Sequence, residues 1–237
     1  MPVSLDVPDG NRLTDPSPPA GIVVRLGAHT EPLWRLEYIG TSLLWTYQYP
    51  FGWADFRGRH EKRAPHTDWF ANAQTATRAH RIFCLDLKKE FPGYYEDIWG
   101  ITSSESKSGY KAWGGPPRRG SIDGSVVPCA AAGSLMLTPD IALPDVKAMK
   151  QRYGDKIWTK YGFADAFNPN TGWVSPDLIG IDAGITLLSA ENLRTGNVWK
   201  WFMQNPEMVR AMELAGLEKY CRDEWPRPIP FGTQFEI

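Results

Sequence analysis

Many of the chain's eleven tryptophans fall in stretches broken by glycine and proline, not inside periodic segments. Trp53 lies in YPFGWADFRG, Trp99 in EDIWGITSS, Trp113 in YKAWGGPP and Trp173 in NPNTGWVSPD. Rings of that size on turn-rich segments need a scaffold that gathers the loops on one side. Carboxylates and amides beside them complete what a sugar-binding cleft needs: an apolar ring face for the pyranose and polar side chains for its hydroxyls. The same aromatics could instead fill a loop-rich core, and composition alone leaves both readings open.

The scaffold reads as helical. Asp68 is placed to cap a helix through WFANAQTATRAHRIFCLDLKKEF, whose Phe70, Ala73, Ala76, Ala79, Phe83 and Leu87 keep a helical period until Pro92-Gly93. VVPCAAAGSLML is apolar on all sides and predicts a short buried helix. Thr138-Pro139-Asp140 is a helix-start signal, although Pro144 predicts a later true start, with the helix running to about Tyr153. AGITLLSAENLRTG ends at a C-capping Gly196. Asn205-Pro206-Glu207 opens a last helix with Met208, Ala211, Met212 and Ala215 inward, and Leu36 to Phe51 reads as one more buried helix. Residues 1–22, with a DPSPP run, read as an extended or disordered lead-in to a single domain over 23–237. The expected fold class is all-α, an α/α array whose common closed form is a toroid of six helical hairpins.

Charge and cysteine exclude several classes. With 26 basic and 27 acidic residues the net charge is −1, which gives no footprint for nucleic acid or an anionic membrane. The runs EKR at 61–63 and RR at 118–119 read as solvated surface. No apolar stretch approaches the roughly 20 residues of a membrane helix. The opening MPVSLDVPDGNRLTDPSPPAG has neither the basic nor the apolar region of a signal peptide, leaving the compartment open with cytoplasmic as the default. Cys84, Cys129 and Cys221 read as buried free thiols, and neither they nor His29, His60, His66 and His80 form a ligand pattern. No metal or cofactor is expected.

Three stretches resemble the putative glucoamylase-like family, which includes bacterial endo-β-1,2-glucanases and the glucanotransferase region of cyclic β-1,2-glucan synthases. They are LLWTYQYPFGWADFRGRHE with DWFANAQTATRAHRIFCLD, then WGITSSESKSGYKAWGGPP, then YGFADAFNPNTGWVSPDLIGIDAGITLLSAENLRTGNVWKWFMQNPEM. The likeness is colinear from about residue 36 to 215. It implies an (α/α)6 toroid of the glycoside-hydrolase type acting on β-linked glucan, with β-1,2-glucan favoured. Twelve helices of roughly 12–20 residues need well over 300 residues, so the resemblance covers about half of the barrel, its C-terminal half. The family's other half carries an Asn-Glu-Ala-Met-like helix and the glutamates proposed as its acid/base machinery. The resemblance therefore implies a chain that holds sugar-contacting loops while the principal acid lies elsewhere, and self-association or a companion chain to cover the open half. Its oligosaccharide or polysaccharide partner would be a β-glucan.

Glycosidic cleavage needs two carboxyls across the scissile bond. Asp55, Glu105, Asp165, Asp177 and Asp182 are the carboxylates in Trp- and Gly-rich loops. Asp165 and Asp182 sit among small apolar neighbours, where a carboxylate is costly to bury without a reason, and they are the catalytic candidates. They flank Asn168, Trp173 and Ser175, a plausible sugar subsite. Asp177 could equally cap a helix and Asp55 could pair with Arg57. Tyr47, Gln48, Trp53, Trp99, Tyr110, Lys111 and Trp113 complete the candidate substrate surface. Two departures bear on catalysis: the family's GIDQGP is GIDAGI here, with Ala183 and Ile185, and its ASDGPDGYK is SSESKSGYK. Three readings follow: a glycoside hydrolase or transglycosylase completed by the other half, a glucan-binding pseudoenzyme, or an inactive fragment.

Overall fold

The computed structural model describes residues 4–6, 22–26, 36–64 and 66–220. A long core helix, α2 (Trp69–Asp86), begins where the sequence places the cap, with the Asp68 carboxylate accepting the Ala71 N–H at 2.9 Å. Ala73, Ala76 and Ala79 on one face are fully buried. Their small side chains let neighbouring elements approach closely.

One of those neighbours is not the predicted helix over Leu36–Phe51. That stretch divides into strand β3 (Leu36–Gly40), a 3-10 turn (Leu44–Tyr47) and the short helix α1 (Tyr49–Trp53). The Gly40-Thr41-Ser42 break interrupts any helical ladder, and Pro50, lacking an N–H, fits the first turn of the restarted helix. Asn72 of α2 closes the free edge of β3, its amide bonding the Ile39 N–H and carbonyl at 2.7 and 2.8 Å. On its other side β3 joins β2 (Ile22–Leu26), which pairs with β1 (Ser4–Asp6), all antiparallel. Of the lead-in, Ser4–Asp6 and Ile22 are described, both in strands; residues 1–3 and 7–21 lie outside the described residues, as do His29 and Cys221.

The remaining elements are mainly helical. Strand β4 (Arg59–Glu61) precedes α2 and pairs with β9 (Leu217–Lys219). Helix α3 (Pro128–Ala132) is buried at every position, as an apolar run requires. Helix α4 (Pro139–Ile157) starts at Pro139, not after Pro144. Pro144 forgoes one bond to the Asp140 carbonyl in an exposed first turn, where water can serve that oxygen. The Thr138 hydroxyl does not cap it; buried without a partner, it leaves that end to Pro139 and to Asp140, which a bidentate Arg78 holds at 2.8 and 2.9 Å. Two hairpins follow, β5 (Trp158–Thr159) with β6 (Gly162–Phe163) and β7 (Phe167–Asn168) with β8 (Trp173–Val174). Helix α5 (Gly180–Arg194) stops at Gly196, whose φ of 67° is open to glycine at little cost. Then come α6 (Asn197–Phe202) and α7 (Pro206–Leu214). Of the predicted inner face of α7, Met212 is buried and Met208 half-buried, but Ala211 and Ala215 are exposed, because the packed stripe is only as wide as the small cluster with Ala54 and Leu217.

The centre is a buried irregular strap, Ile98–Ile101, tied to three helices. Trp99 N–H donates to Asp145 Oδ2 of α4 at 2.8 Å, Val127 N–H donates to the Gly100 carbonyl at 3.0 Å, and Ile101 N–H donates to His80 Nε2 of α2 at 2.8 Å. Asp145 is wholly buried, its Oδ1 has no partner, and burial holds the carboxyl well above the usual carboxylate range despite Arg81 and Arg152 nearby.

The folded chain therefore keeps a proton that the unfolded chain releases near pH ~4, so stability falls as pH rises above that value. Urea denaturation between pH 5 and 8 should give a wild-type stability that declines relative to Asp145→Asn, by up to about 1.4 kcal/mol per pH unit. The variant retains His80, so the difference between the curves reports Asp145; parallel curves would mean the carboxyl ionises normally.

Candidate functional site

The loop over 101–115 is closed at its neck by one imidazole. His80 Nε2 accepts from Ile101 N–H, so Nδ1 carries the proton and donates to the Gly115 carbonyl at 2.5 Å. Burial lowers the His80 pKa to about 4, so the ring stays neutral and both bonds persist at neutral pH. Beyond that neck, Ser104 pairs with Lys111 and Ser106 with Gly109 through reciprocal backbone bonds. This hairpin presents the Glu105 N–H to Asp165 Oδ2 at 2.7 Å.

Asp165 lies just ahead of β7, on a strand extension where its N–H donates to the Asp177 carbonyl at 3.0 Å and Ser175 N–H donates to Ala166 at 2.8 Å. Its side chain is only 3% exposed. Asp182 occupies the first turn of α5, whose N-cap is Ile179, and is half-buried. The two carboxyls are hydrogen-bonded to each other. Burial pushes Asp165 up to about 7, the Glu105 amide opposes this, and the neighbouring Asp182 charge adds to it. Burial also raises Asp182, while bonds from Asp165 and the Cys129 thiol draw it back. Asp165 is thus the proton donor within the pair and Asp182 the better-solvated acceptor, at the positive end of a helix. Two groups absent from the sequence candidates border the pair. Cys129 of α3 is buried and kept as a thiol by burial and by the Asp182 charge. Tyr49 of α1 donates its hydroxyl to the Ile181 carbonyl at 3.4 Å. Tyr49 adjoins the candidate pair Tyr47-Gln48 in sequence, but nothing in the TYQY motif says which ring faces the acids.

Several predicted contacts are structural instead. Trp99 and Trp113 are 0% and 1% exposed, so neither offers a ring face; Trp113 Nε1 donates to Ser104 Oγ at 3.3 Å and braces the hairpin. Tyr47 is buried with its hydroxyl accepting from Thr41 N–H at 2.6 Å. Gln48 is buried between α1 and α3, its Nε2 donating to the Ala130 carbonyl and Ser134 Oγ at 2.7 and 2.8 Å. Asn168 organises the β7–β8 turn, accepting from Asn170 and Thr171 N–H and donating to the Asp123 carbonyl. Asp55 forms a bidentate pair with Arg57, which stacks over Trp199 at 4.0 Å. Trp53 is exposed but leans on Phe202. Asp177 is exposed and does not cap α5. Trp173 is half-buried across β7–β8 from Asn168, and Tyr110, exposed, and Lys111, half-buried, stand on the Glu105 hairpin. Ile185 is a core residue and Ala183 half-buried. Among the described residues no group of three or more His, Cys, Asp or Glu could hold a metal ion, and no helix is long and apolar enough to cross a membrane.

A family profile described as Putative glucoamylase matches residues 30–206. The exo beta-1,2-glucooligosaccharide sophorohydrolase (non-reducing end) of Parabacteroides distasonis is 30% identical over 154 residues, 65% of this chain and 21% of that protein. A putative glucoamylase from Bacteroides fragilis superposes with a TM-score of 0.72 at 31% identity, over 78% of this chain and 44% of that one. An endo-beta-1,2-glucanase from Chitinophaga pinensis, solved with sophorotriose and glucose, gives 0.70 at 26%, over 85% and 46%. The chain spans about a fifth of the curated relative's length and under half of each of these solved structures.

Carboxyl carbon signals of Asp165 and Asp182, followed by NMR, should show one shared protonation near pH 7. In Asp182→Asn the Asp165 step should move to lower pH, because the adjacent negative charge is removed while burial remains. An unmoved step would place the cause of the shift in burial alone.

Proposed function

The chain belongs to the putative glucoamylase family, and from that premise we propose that it is the part of a glycoside hydrolase or transglycosylase that handles β-linked glucan, with β-1,2-glucan favoured. The observation that carries this reading is the hydrogen-bonded Asp165–Asp182 pair, held on the Glu105 amide beside a hairpin that carries Tyr110 and Lys111. Relatives named for β-1,2-glucan chemistry support the substrate class.

The pair's closeness defines its role. Carboxyls that act separately on the two sides of a glycosidic bond stand about 5–5.5 Å apart in retaining enzymes and about 6.5–9.5 Å apart in inverting ones. Asp165 and Asp182 are instead hydrogen-bonded to each other and hold one proton between them near neutrality. Asp165 and Asp182 therefore act together as one base on one side of the bond. Asp182 takes a proton from the attacking water, or from a sugar hydroxyl in transglycosylation, as that oxygen bonds to the anomeric carbon. The bond from that carbon to the leaving oxygen breaks, and the leaving oxygen takes its proton from a second carboxyl. That principal acid belongs to the family's other half of the toroid, which a companion polypeptide would supply. A pair that carries a single proton near neutrality is well matched to accepting another.

Incubation of linear β-1,2-glucan with the folded chain and a polypeptide carrying the N-terminal half of the related Chitinophaga pinensis endo-beta-1,2-glucanase, read by chromatography of the oligosaccharides, tests the proposal. Shortened or transferred products should form only when both are present, and Asp182→Asn and Asp165→Asn should each lower that rate about 100-fold or more at unchanged fold. A hydrogen-bonded pair of carboxyls also fits a binder without chemistry. Saturable glucan binding with no products even when the other half is supplied, unaffected by either substitution, would establish that second reading.

A further inference from the structure

Trp45 is 41% exposed, yet it sits on one of the most firmly held turns of the molecule. Its neighbour Leu44 is buried, as are Tyr47 and Gln48, and the turn closes through Thr46 N–H to Leu43 and Gln48 N–H to Trp45, at 3.1 and 3.0 Å. Gln48 is bolted to α3 by two hydrogen bonds. The indole is thus aimed outward by buried residues on both sides, and little conformational freedom would be lost when a ligand covers it. Its contact with Tyr49 is T-shaped, 6.1 Å between centroids and 84° between planes, and not a face-to-face stack, so the indole stays partly open to solvent. Tyr49 in turn reaches the Ile181 carbonyl, one residue from Asp182. The path from open ring to acid pair is one aromatic contact, one hydrogen bond and one peptide.

We propose that Trp45 and Tyr49 form an aromatic subsite that stacks a glucosyl ring of the substrate and leads it to the Asp165–Asp182 pair. This rests on the glucan reading above and adds a recognition element to it. The pyranose C–H face lies on the indole. Tyr49 buttresses the ring, and its hydroxyl, bonded to the backbone at the start of α5, ties ring position to the first turn that carries Asp182. Trp99 and Trp113 cannot take this part, because the core encloses them.

The test is ¹⁵N-indole NMR of the folded chain titrated with linear β-1,2-glucan, with the Trp45 signal identified as the one absent from Trp45→Phe. The expected result is a saturable shift of the Trp45 signal. Calorimetry should show affinity about three- to tenfold weaker in Trp45→Ala and largely kept in Trp45→Phe. Glucan-dependent shifts of other indoles without Trp45 would overturn the subsite and leave the glucan reading standing. No shift at any indole, and no heat of binding, would overturn both. A Trp45 signal that moves with protein concentration instead of glucan would overturn the subsite by making this ring part of a contact between copies of the chain.

Discussion

The wholly buried strap Ile98–Ile101 is irregular backbone in a mainly helical protein, and no neighbouring strand serves its amides. Each buried N–H left without an acceptor would cost about 1–3 kcal/mol. Side chains supply acceptors, Asp145 for the Trp99 N–H and His80 for the Ile101 N–H, and the helix entry supplies a donor, the Val127 N–H to the Gly100 carbonyl. One strap therefore joins α2, α3 and α4. Because His80 also holds the Gly115 carbonyl, the same constraint fixes both ends of the hairpin that delivers Glu105 to Asp165. Core satisfaction and site geometry are one problem here, solved by one ring in one tautomer.

The acid pair shows burial and charge working against each other. Desolvation favours the neutral form of both carboxyls, yet each has a feature that favours the anion. For Asp165 it is the Glu105 amide; for Asp182 it is the first turn of α5, together with the Cys129 thiol. The more buried residue keeps the proton and the better-solvated one keeps the charge. A pair so held destabilises the fold at neutral pH relative to two solvated carboxylates, and the strap and helix packing offset that cost. Such a cost is tolerable where a proton must later move.

Legibility in the sequence followed the range of the interactions. Asp68, the alanine stripe of α2, the all-apolar α3 and the Gly196 stop are local signals, and local rules found them. Leu36–Phe51 misled because an aromatic, uncharged run has no unambiguous period; Gly40 and Pro50 decided it, together with the edge bonds from Asn72. Pro144 misled for a related reason, since the penalty for proline inside a helix depends on whether the orphaned carbonyl can reach water. Asp165 and Asp182 were conspicuous as carboxylates among small apolar neighbours, and the chain brings them into contact. Their partners Cys129 and Tyr49 were not conspicuous, because a thiol in an apolar run and a tyrosine in an aromatic one gain meaning only from what α5 places against them. Tryptophan misled in the other direction. Its occurrence in loops suggested a cleft, but the two ends of the loop pinned by His80 are interior, and Trp99 and Trp113, beside those ends, went into the core.

Where the tryptophans remain outside, they follow a different logic from the sequence pattern. Ile181, Leu187, Trp201, Val209 and Leu214 are exposed on α5, α6 and α7, while every residue of α3 is covered. Burial is thus uneven across the helices, dense around the strap and thin on the elements downstream of Asp182. The proposed chemistry has the same asymmetry: a single shared-proton pair can serve only one side of a glycosidic bond. Glu105 is fixed to that same side by its backbone bond to Asp165. A carboxyl for the leaving group must therefore approach from the other side of that bond, and the thinly covered face of α5 is the surface over which protein would bring it. Under this reading the exposed apolar residues and the absent acid have one cause, and whatever covers Ile181 and Leu187 should also bring the second carboxyl within reach of Asp182.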